Sequence, residues 1–401
     1  MSKLYPTVLV LDGPNAITGH AMIQTAPAQG TPAEIMERVH MRMGNNTVLL
    51  LTDAPPHNWA ALVDDPEHAE WGSWRLTGGP AWHTARDGDR IVRLAVLSKV
   101  NPDNDPMLGA TLQLTAFSHQ MYAIITGVPF FADGGTTAGL LFEKTISTRG
   151  RDVLRNWNDK QAPAVHEQPW PGGGLWETSR PGEYYPRLQL DANAQYLWGV
   201  TGIYLPMDAL EHTGAIPWAK GTVGLLEISV PPNPAPQLPH PCGRDITSPG
   251  RRWVAHPTAQ LLAEFGYDIE ISDSWTCPSD RSRRVLDPWY ACLRDARAAV
   301  MHAGPRDTEI HAVGAAIKDT YSRGVSHLGK SADRRWYRPD WQAILFASAR
   351  VKMWRALWTA GSQWDMWPVC LKADAAFYEH RDAAKAFKIG PGIGEWKVTD
   401  V

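Results

Sequence analysis

The chain has 401 residues, enough for two or three domains with cores of their own. A hydrophobic fraction of 44% and a charged fraction of 20% are those of an ordinary globular protein and exclude a disordered or fibrous chain. The net charge of −3 excludes a globally basic nucleic-acid binder, and no apolar run approaches the roughly 18 residues of a membrane span.

The charge is unevenly spread. From Arg281 to Arg355 there are 15 Lys/Arg against 7 Asp/Glu, a local excess of about +8 that leaves about −11 for the rest. Such a segment suits one face that meets a polyanion, and equally a solvated helical surface. The 19 tryptophans offer rings for base stacking, and equally fill cores. Cys242, Cys277, Cys292 and Cys370 show neither metal-ligand spacing nor a disulfide framework. With no signal peptide read at the start, a reducing cytoplasmic location and no membrane partner are expected.

In chain order, residues 5–12 read as a buried strand ending in Asp12. Thr31 followed by Glu34 is a capping-box pattern, so a helix is expected from Thr31 to Met43, and a second strand from Thr47 to Asp53. Strand, helix, strand implies an α/β start, with Asp12 and Asp53 where such folds place functional carboxylates. A nuclease of the RNase H type wants Asp-x-Glu at the first of these, and Pro14 stands there instead. Residues 1–150 are therefore expected to form an α/β, degenerate RNase H-like (exonuclease-like) domain that is structural or guides DNA. Ile91–Leu97 continues its sheet, Leu108–Ile125 reads as a helix, and Asp133-Gly-Gly-Thr-Thr137 as a turn.

Residues 151–187, rich in Pro and Gly, read as a linker. Within it, Trp170-Pro-Gly172-Gly173 lets backbone amides approach a phosphate or base closely, and an interdomain turn would use the same residues. Next, the apolar run at Leu190 delivers Asp191, with Asn193 two positions on and Tyr196 five positions on. A second isolated aspartate, Asp374, ends the strand-like run from Pro368. Carboxylates on neighbouring strand ends can hold two Mg2+ ions about 3.5–4 Å apart, the geometry of in-line phosphoryl transfer. Either aspartate alone would also serve as a plain strand terminator.

Between them, strands are expected over Gly221–Pro231 and from Tyr267 to Ser272, a six-proline loop over Pro231–Pro241, and a strand running into a helix over Trp253–Phe265. Helices from about Asp287 to His302 and from about Asp307 to Arg323, joined at Gly304-Pro305, should form an antiparallel hairpin. Arg294, Arg297 and Lys318 would line one face of it and neutralise a triphosphate, though exposed cations on helices are also ordinary. Pro339–Ala360 reads as a long helix with Arg350, Lys352 and Arg355 alternating against apolar residues.

Taken together, these stretches resemble family B DNA polymerases of the protein-primed, organellar and viral type, over about residues 165–401. Asp191-Ala-Asn193-Ala-Gln-Tyr196 resembles motif A, Asp-x-Asn-x-x-Tyr; Trp170-Pro-Gly-Gly173 resembles Tyr-x-Gly-Gly; Leu371-Lys-Ala-Asp374 resembles motif C, with Lys372 in place of its first Asp. Lys318 stands where the phosphate lysine of motif B would be, and Ile393-Gly-Glu-Trp-Lys397 resembles a Leu-Gly-x-Trp-Lys stretch. The resemblance implies an α+β palm over 188–401 with a helical-hairpin fingers unit at about 287–323, and no thumb is expected after Val401. It further implies Asp191 and Asp374 as catalytic ligands of two Mg2+ (or Mn2+), Tyr196 excluding ribose, and Asn193, Lys318, Arg294 and Arg297 around the incoming nucleotide. Trp170, Gly172, Gly173 and Lys397 would touch DNA. The implied activity is nucleotidyl transfer on primer-template or single-stranded DNA from deoxynucleoside triphosphates, with a terminal or accessory protein as partner, in replication of phage or mobile-element DNA. The alternative is a catalytically decayed, DNA-binding replication scaffold. Lys372, the absent thumb and Pro14 speak for that alternative.

Overall fold

The computed structural model describes residues 7–12, 15–18, 22–23, 30–44, 47–67, 71–146, 175–177, 186–243, 246, 250–302, 307–330 and 336–400. Trp170, Gly172 and Gly173 lie outside the described residues. The chain divides into two compact units, residues 1–145 with 292–324, and residues 146–291 with 325–401. The helical hairpin expected within the palm thus groups largely with the N-terminal residues.

In the first unit, strands β1 (Thr7–Asp12), β2 (Asn15–Thr18), β3 (Met22–Ile23), β4 (Thr47–Leu51), β5 (Arg75–Gly78), β6 (Trp82–Asp87) and β7 (Arg90–Val96) form one sheet in the order β3-β2-β1-β4-β7-β6-β5. β1, β4 and β7 are mutually parallel and the outer strands antiparallel. The central strands are apolar on both faces because helices cover both. Helices α1 (Pro32–Met43) and α2 (Trp59–Asp64) bury Ile35, Met36, Trp59 and Val63 against Leu9, Leu49 and Leu94. On the other face, α3 (Leu112–Thr126) packs Ala116 and Ala123 against Val8, Val48 and Leu50. The Thr31/Glu34 capping box forms as expected. Asp133-Gly-Gly is not a free turn. Asp133 Oδ1 accepts from the Thr136 N–H at 2.7 Å and opens helix α4 (Gly134–Thr145), because an Asp carboxylate satisfies amides left over in a first helical turn.

The second unit continues with β8 (Leu175–Glu177), β9 (Leu188–Ala192), helix α5 (Gln195–Val200), β10 (Leu205–Pro206), β11 (Glu211–His212), β12 (Val223–Ser229), β13 (Arg251–Ala255), helix α6 (His256–Glu264), β14 (Ile271–Cys277) and β15 (Ser282–Arg283). Helices α7 (Asp287–Val300) and α8 (Thr308–His327) make the hairpin, most of which belongs to the first unit, and in the second α9 (Pro339–Trp364) precedes β16 (Cys370–Lys372), β17 (Ala375–Tyr378) and β18 (Trp396–Asp400). One sheet runs β18-β9-β17-β16-β8, another β11-β14-β12-β13. The expected strand at Tyr267–Ser272 instead begins at Ile271.

Helix α9 is the spine of this unit. Arg338 and Trp341 both donate to Pro206 O near its start, and Trp354 Nε1 donates to Pro239 O, in the proline loop. Its Val351, Trp354 and Leu357 pack under Leu188, Leu190, Leu371 and Ala376 of the five-stranded sheet. The expected charged stripe on α9 is therefore not solvated throughout. Arg350 is buried and donates to Thr258 Oγ1 at 2.9 Å.

Candidate functional site

The sequence Leu188-Gln-Leu-Asp-Ala192 alternates as a half-buried strand must. Leu188, Leu190 and Ala192 face the core, while Gln189 and Asp191 lie on the opposite, partly exposed face. Gln189 Nε2 donates to both Asp191 oxygens, at 2.8 and 3.0 Å. β9 lies between β17 and β18, with Asp191 opposite Ala375 on one side and Lys397 on the other.

Asp374 differs from its expected setting. The run Pro368–Asp374 does not continue as one strand. Lys372 pairs with Ala375, so Ala373 and Asp374 form a two-residue hairpin turn, and Ala373 takes φ 53°. The sequence hides this turn because it lacks the Asn-Gly or Asp-Gly pair that favours positive φ. Lys372 and Asp374 are therefore not alternate residues of one strand face. The turn still comes to Asp191: Ala192 N–H donates to Asp374 O at 2.9 Å.

Tyr196 stands on α5, just after the Asn193–Ala194 turn. Its ring lies 5.6 Å from that of Phe346. Burial, with the Asp374 carboxylate adding, pushes its hydroxyl pKa up. Asp191, Asp374 and Tyr196 thus gather at one end of the sheet. α5 is held from α9: Ser348 Oγ donates to Gly199 O at 2.7 Å, and Lys352 Nζ to the carbonyls of Trp198 and Thr201. Asn193 faces a different task from the one expected. Its Nδ2 donates to Gly390 O at 2.6 Å, and its backbone pairs with Glu395 and Gly394, clasping the loop before β18. Gly394 there has φ 75°, and a Cβ would meet the Trp198 ring at 2.8 Å.

In the first unit, the hairpin cations part company. Arg297 and Lys318 line a cleft of about 250 Å3 between α7 and α8, with His311, Val300, Ile310 and Tyr321. Arg294 is outside it, paired with Asp295 at 2.8 Å. Gly314 sits 3.6 Å (from its ideal Cβ position) from Val300 Cγ2, so the helices meet closely beside the cleft. His311, Gln189, Ser348 and Lys352 escape a reading of motifs. Only Gln189 had a signal, its place in the alternation with Asp191.

A pair of divalent ions needs several converging oxygen donors. Among the described residues no group of three or more His, Cys, Asp or Glu converges. The site offers Asp191 and Asp374, with Asp191 already bonded to Gln189 and next to Lys397 in register. Two carboxylates, one of them already bonded to Gln189, do not by themselves fill the shells of two divalent ions.

No protein-family model matches the chain, and no curated protein matches it significantly. Among solved structures, phi29 DNA polymerase in an orthorhombic crystal form is similar at 11% identity and a TM-score of 0.51, over 98% of this chain and 82% of that one. Phi29 DNA polymerase complexed with primer-template DNA and incoming nucleotide substrates matches at 10% identity and a TM-score of 0.49, over 98% and 84%. The same polymerase complexed with single-stranded DNA matches at 11% and 0.48, over 98% and 84%. The first likeness shows that this chain has a polymerase-like, mixed α/β fold. No helix among the described residues is long and apolar enough to cross a membrane.

Proposed function

We propose that the chain is a DNA-binding protein built on a polymerase-like fold, holding DNA on the open face of the five-stranded sheet. The observation that carries this reading is the fold likeness to a DNA polymerase over 98% of the chain. The sheet supports it: one face is sealed by α9, while the other presents Asp191, Lys372, Phe377 and Lys397 at its surface. In the first unit, the hairpin cleft adds Arg297, Lys318 and His311 beside apolar Val300 and Ile310, a combination suited to a nucleotide's phosphates and base. The strand order of the first sheet, with β1 and β4 parallel at its centre and β2 and β3 antiparallel outside, supports the RNase H-like reading of that unit. Its Asp12 accepts from Thr52 Oγ1 at 2.7 Å, and Asp53 from Ala60 N–H at 2.8 Å, so both carboxylates serve the sheet end structurally.

A second reading, nucleotidyl transfer on DNA, is favoured by one observation, the gathering of Asp191, Asp374 and Tyr196 at one sheet end. Primer extension on a short primed template, with Mg2+ and then Mn2+, separates the two. Binding without extension is the result expected of the DNA-holding reading. Extension by the wild type that vanishes in Asp374→Asn would establish transfer instead.

A further inference from the structure

Strand register puts Lys372, Ala375, Asp191 and Lys397 in one row across the sheet. Directly opposed residues of antiparallel strands carry their side chains to the same face, and neighbouring strands lie about 4.8 Å apart. Lys397 is thus one strand from Asp191, and Lys372 is two strands away on its other side, about 10 Å. Both lysines are exposed, and no ion pair holds either ammonium among the described residues. Ala375, small and buried, adds no bulk between them. Asp191 turns its oxygens to Gln189 rather than to a lysine. The row therefore carries two cations and one anion, and the second carboxylate, Asp374, lies off it in the turn, within electrostatic range of Tyr196.

We propose that Lys372 and Lys397 bind nucleic-acid phosphates directly, on either side of Asp191, so that this face holds DNA without a divalent cation. The proposal rests on the reading that the chain binds DNA. The lysines take over the neutralising work that metal ions would do. A divalent ion on Asp191 would sit beside an ammonium of like charge, whereas phosphates set to either side of Asp191 each meet a cation. Three strand steps, about 14 Å, separate the two lysines, and their flexible four-carbon stems let them reach separate phosphates of one strand. Asp191 between them repels a phosphate centred over it and so favours a strand whose phosphates straddle it.

The test is fluorescence anisotropy of labelled single-stranded and primed-duplex oligonucleotides across a salt series, in EDTA and in Mg2+. The wild type is expected to bind in EDTA at least as tightly as in Mg2+, which competes for the same phosphates. Each phosphate-neutralising lysine contributes about one to the slope of log affinity against log salt. Lys372→Gln with Lys397→Gln should therefore lower the slope by about 2 and weaken binding about tenfold or more, while Asp191→Asn binds as tightly as the wild type or tighter. Circular dichroism checks that the variants are folded, which the exposure of both lysines favours. An unchanged slope in the double variant, with wild-type DNA binding intact, overturns the inference alone. Binding that appears only with Mg2+ and disappears in Asp191→Asn overturns it in favour of a metal site. Absence of DNA binding by the wild type removes both this inference and the functional reading beneath it.

Discussion

The Asn193 amide spends its hydrogen bond on Gly390 O, and the backbone on either side of that loop returns to Asn193. Its spacing from Asp191 was legible as a motif, but its partner lies 197 residues away, beyond the reach of any local pattern. Asn193→Ala should cost about 1 kcal/mol, the net worth of one such bond. Hydrogen exchange should then quicken at Gly390–Glu395 while the sheet amides stay protected. Unchanged exchange in the loop would show that Asn193 does not clasp it. Tyr196 illustrates the opposite case. Its position after the motif aspartate was readable, and the structure sets it within electrostatic range of Asp374.

At the scale of elements, α5 and α9 meet through the smallest residue available. A Cβ on Gly199 would lie 2.9 Å from both Ala349 Cβ and Leu345 O, closer than two helices tolerate. Gly199→Ala should therefore push α5 off α9 and destabilise the protein by roughly 1–3 kcal/mol, as overpacking does. A denaturant titration measures it; a midpoint equal to that of the wild type would contradict this packing. The same change should disturb the Ser348 and Lys352 bonds to the α5 carbonyls, and with them the setting of Tyr196. Helices α1, α7, α8 and α9 were all legible, because caps, prolines and apolar periodicity are local signals. The β16–β17 hairpin was not. Its turn residues are Ala373 and Asp374, and tertiary pairing alone enforces the positive φ that alanine resists.

At the scale of the whole molecule, buried histidines set the response to acid. Burial lowers His256, the first residue of α6, to about 4, and its Nδ1 accepts from the Gly224 N–H at 3.5 Å. His240 and His83 are lowered in the same direction, again chiefly by burial. Because the folded pKa lies below the unfolded value of 6.5, the unfolded chain takes up the proton first as pH falls. The histidine contribution to stability should be constant above pH 6.5 and be lost between 6.5 and about 4, with His256 alone contributing about 3 kcal/mol. Urea titrations at pH 7 and pH 4.5 would read this, and His256→Gln should flatten the dependence. A wild-type midpoint that does not move between those two pH values would show that His256 is not held neutral.

The grouping of the units also belongs to this scale. Buried Tyr122 of α3 bonds Thr320 of α8 at 2.6 Å, and Gly134 N–H donates to Asp319 Oδ2 at 2.9 Å. Residues nearly two hundred positions apart thus complete one unit, which a linear reading at a proline-rich boundary divides differently. Taken alone, the sequence determined the helices α1, α3 and α6 to α9, the strands β1, β4, β7, β9, β12, β13 and β14, and a polymerase-like arrangement of motifs, while α2, α4, α5 and the short edge strands escaped it. The features it determined are written in local periodicity, capping and turn chemistry. Only the tertiary structure decided that Asn193 is a clasp, that Asp374 occupies a turn, and that Asp191 stands in a row between Lys372 and Lys397. Each of these depends on strand register between segments far apart in the chain. Register is set by which faces bury apolar surface, a property of the assembled sheet rather than of any one strand.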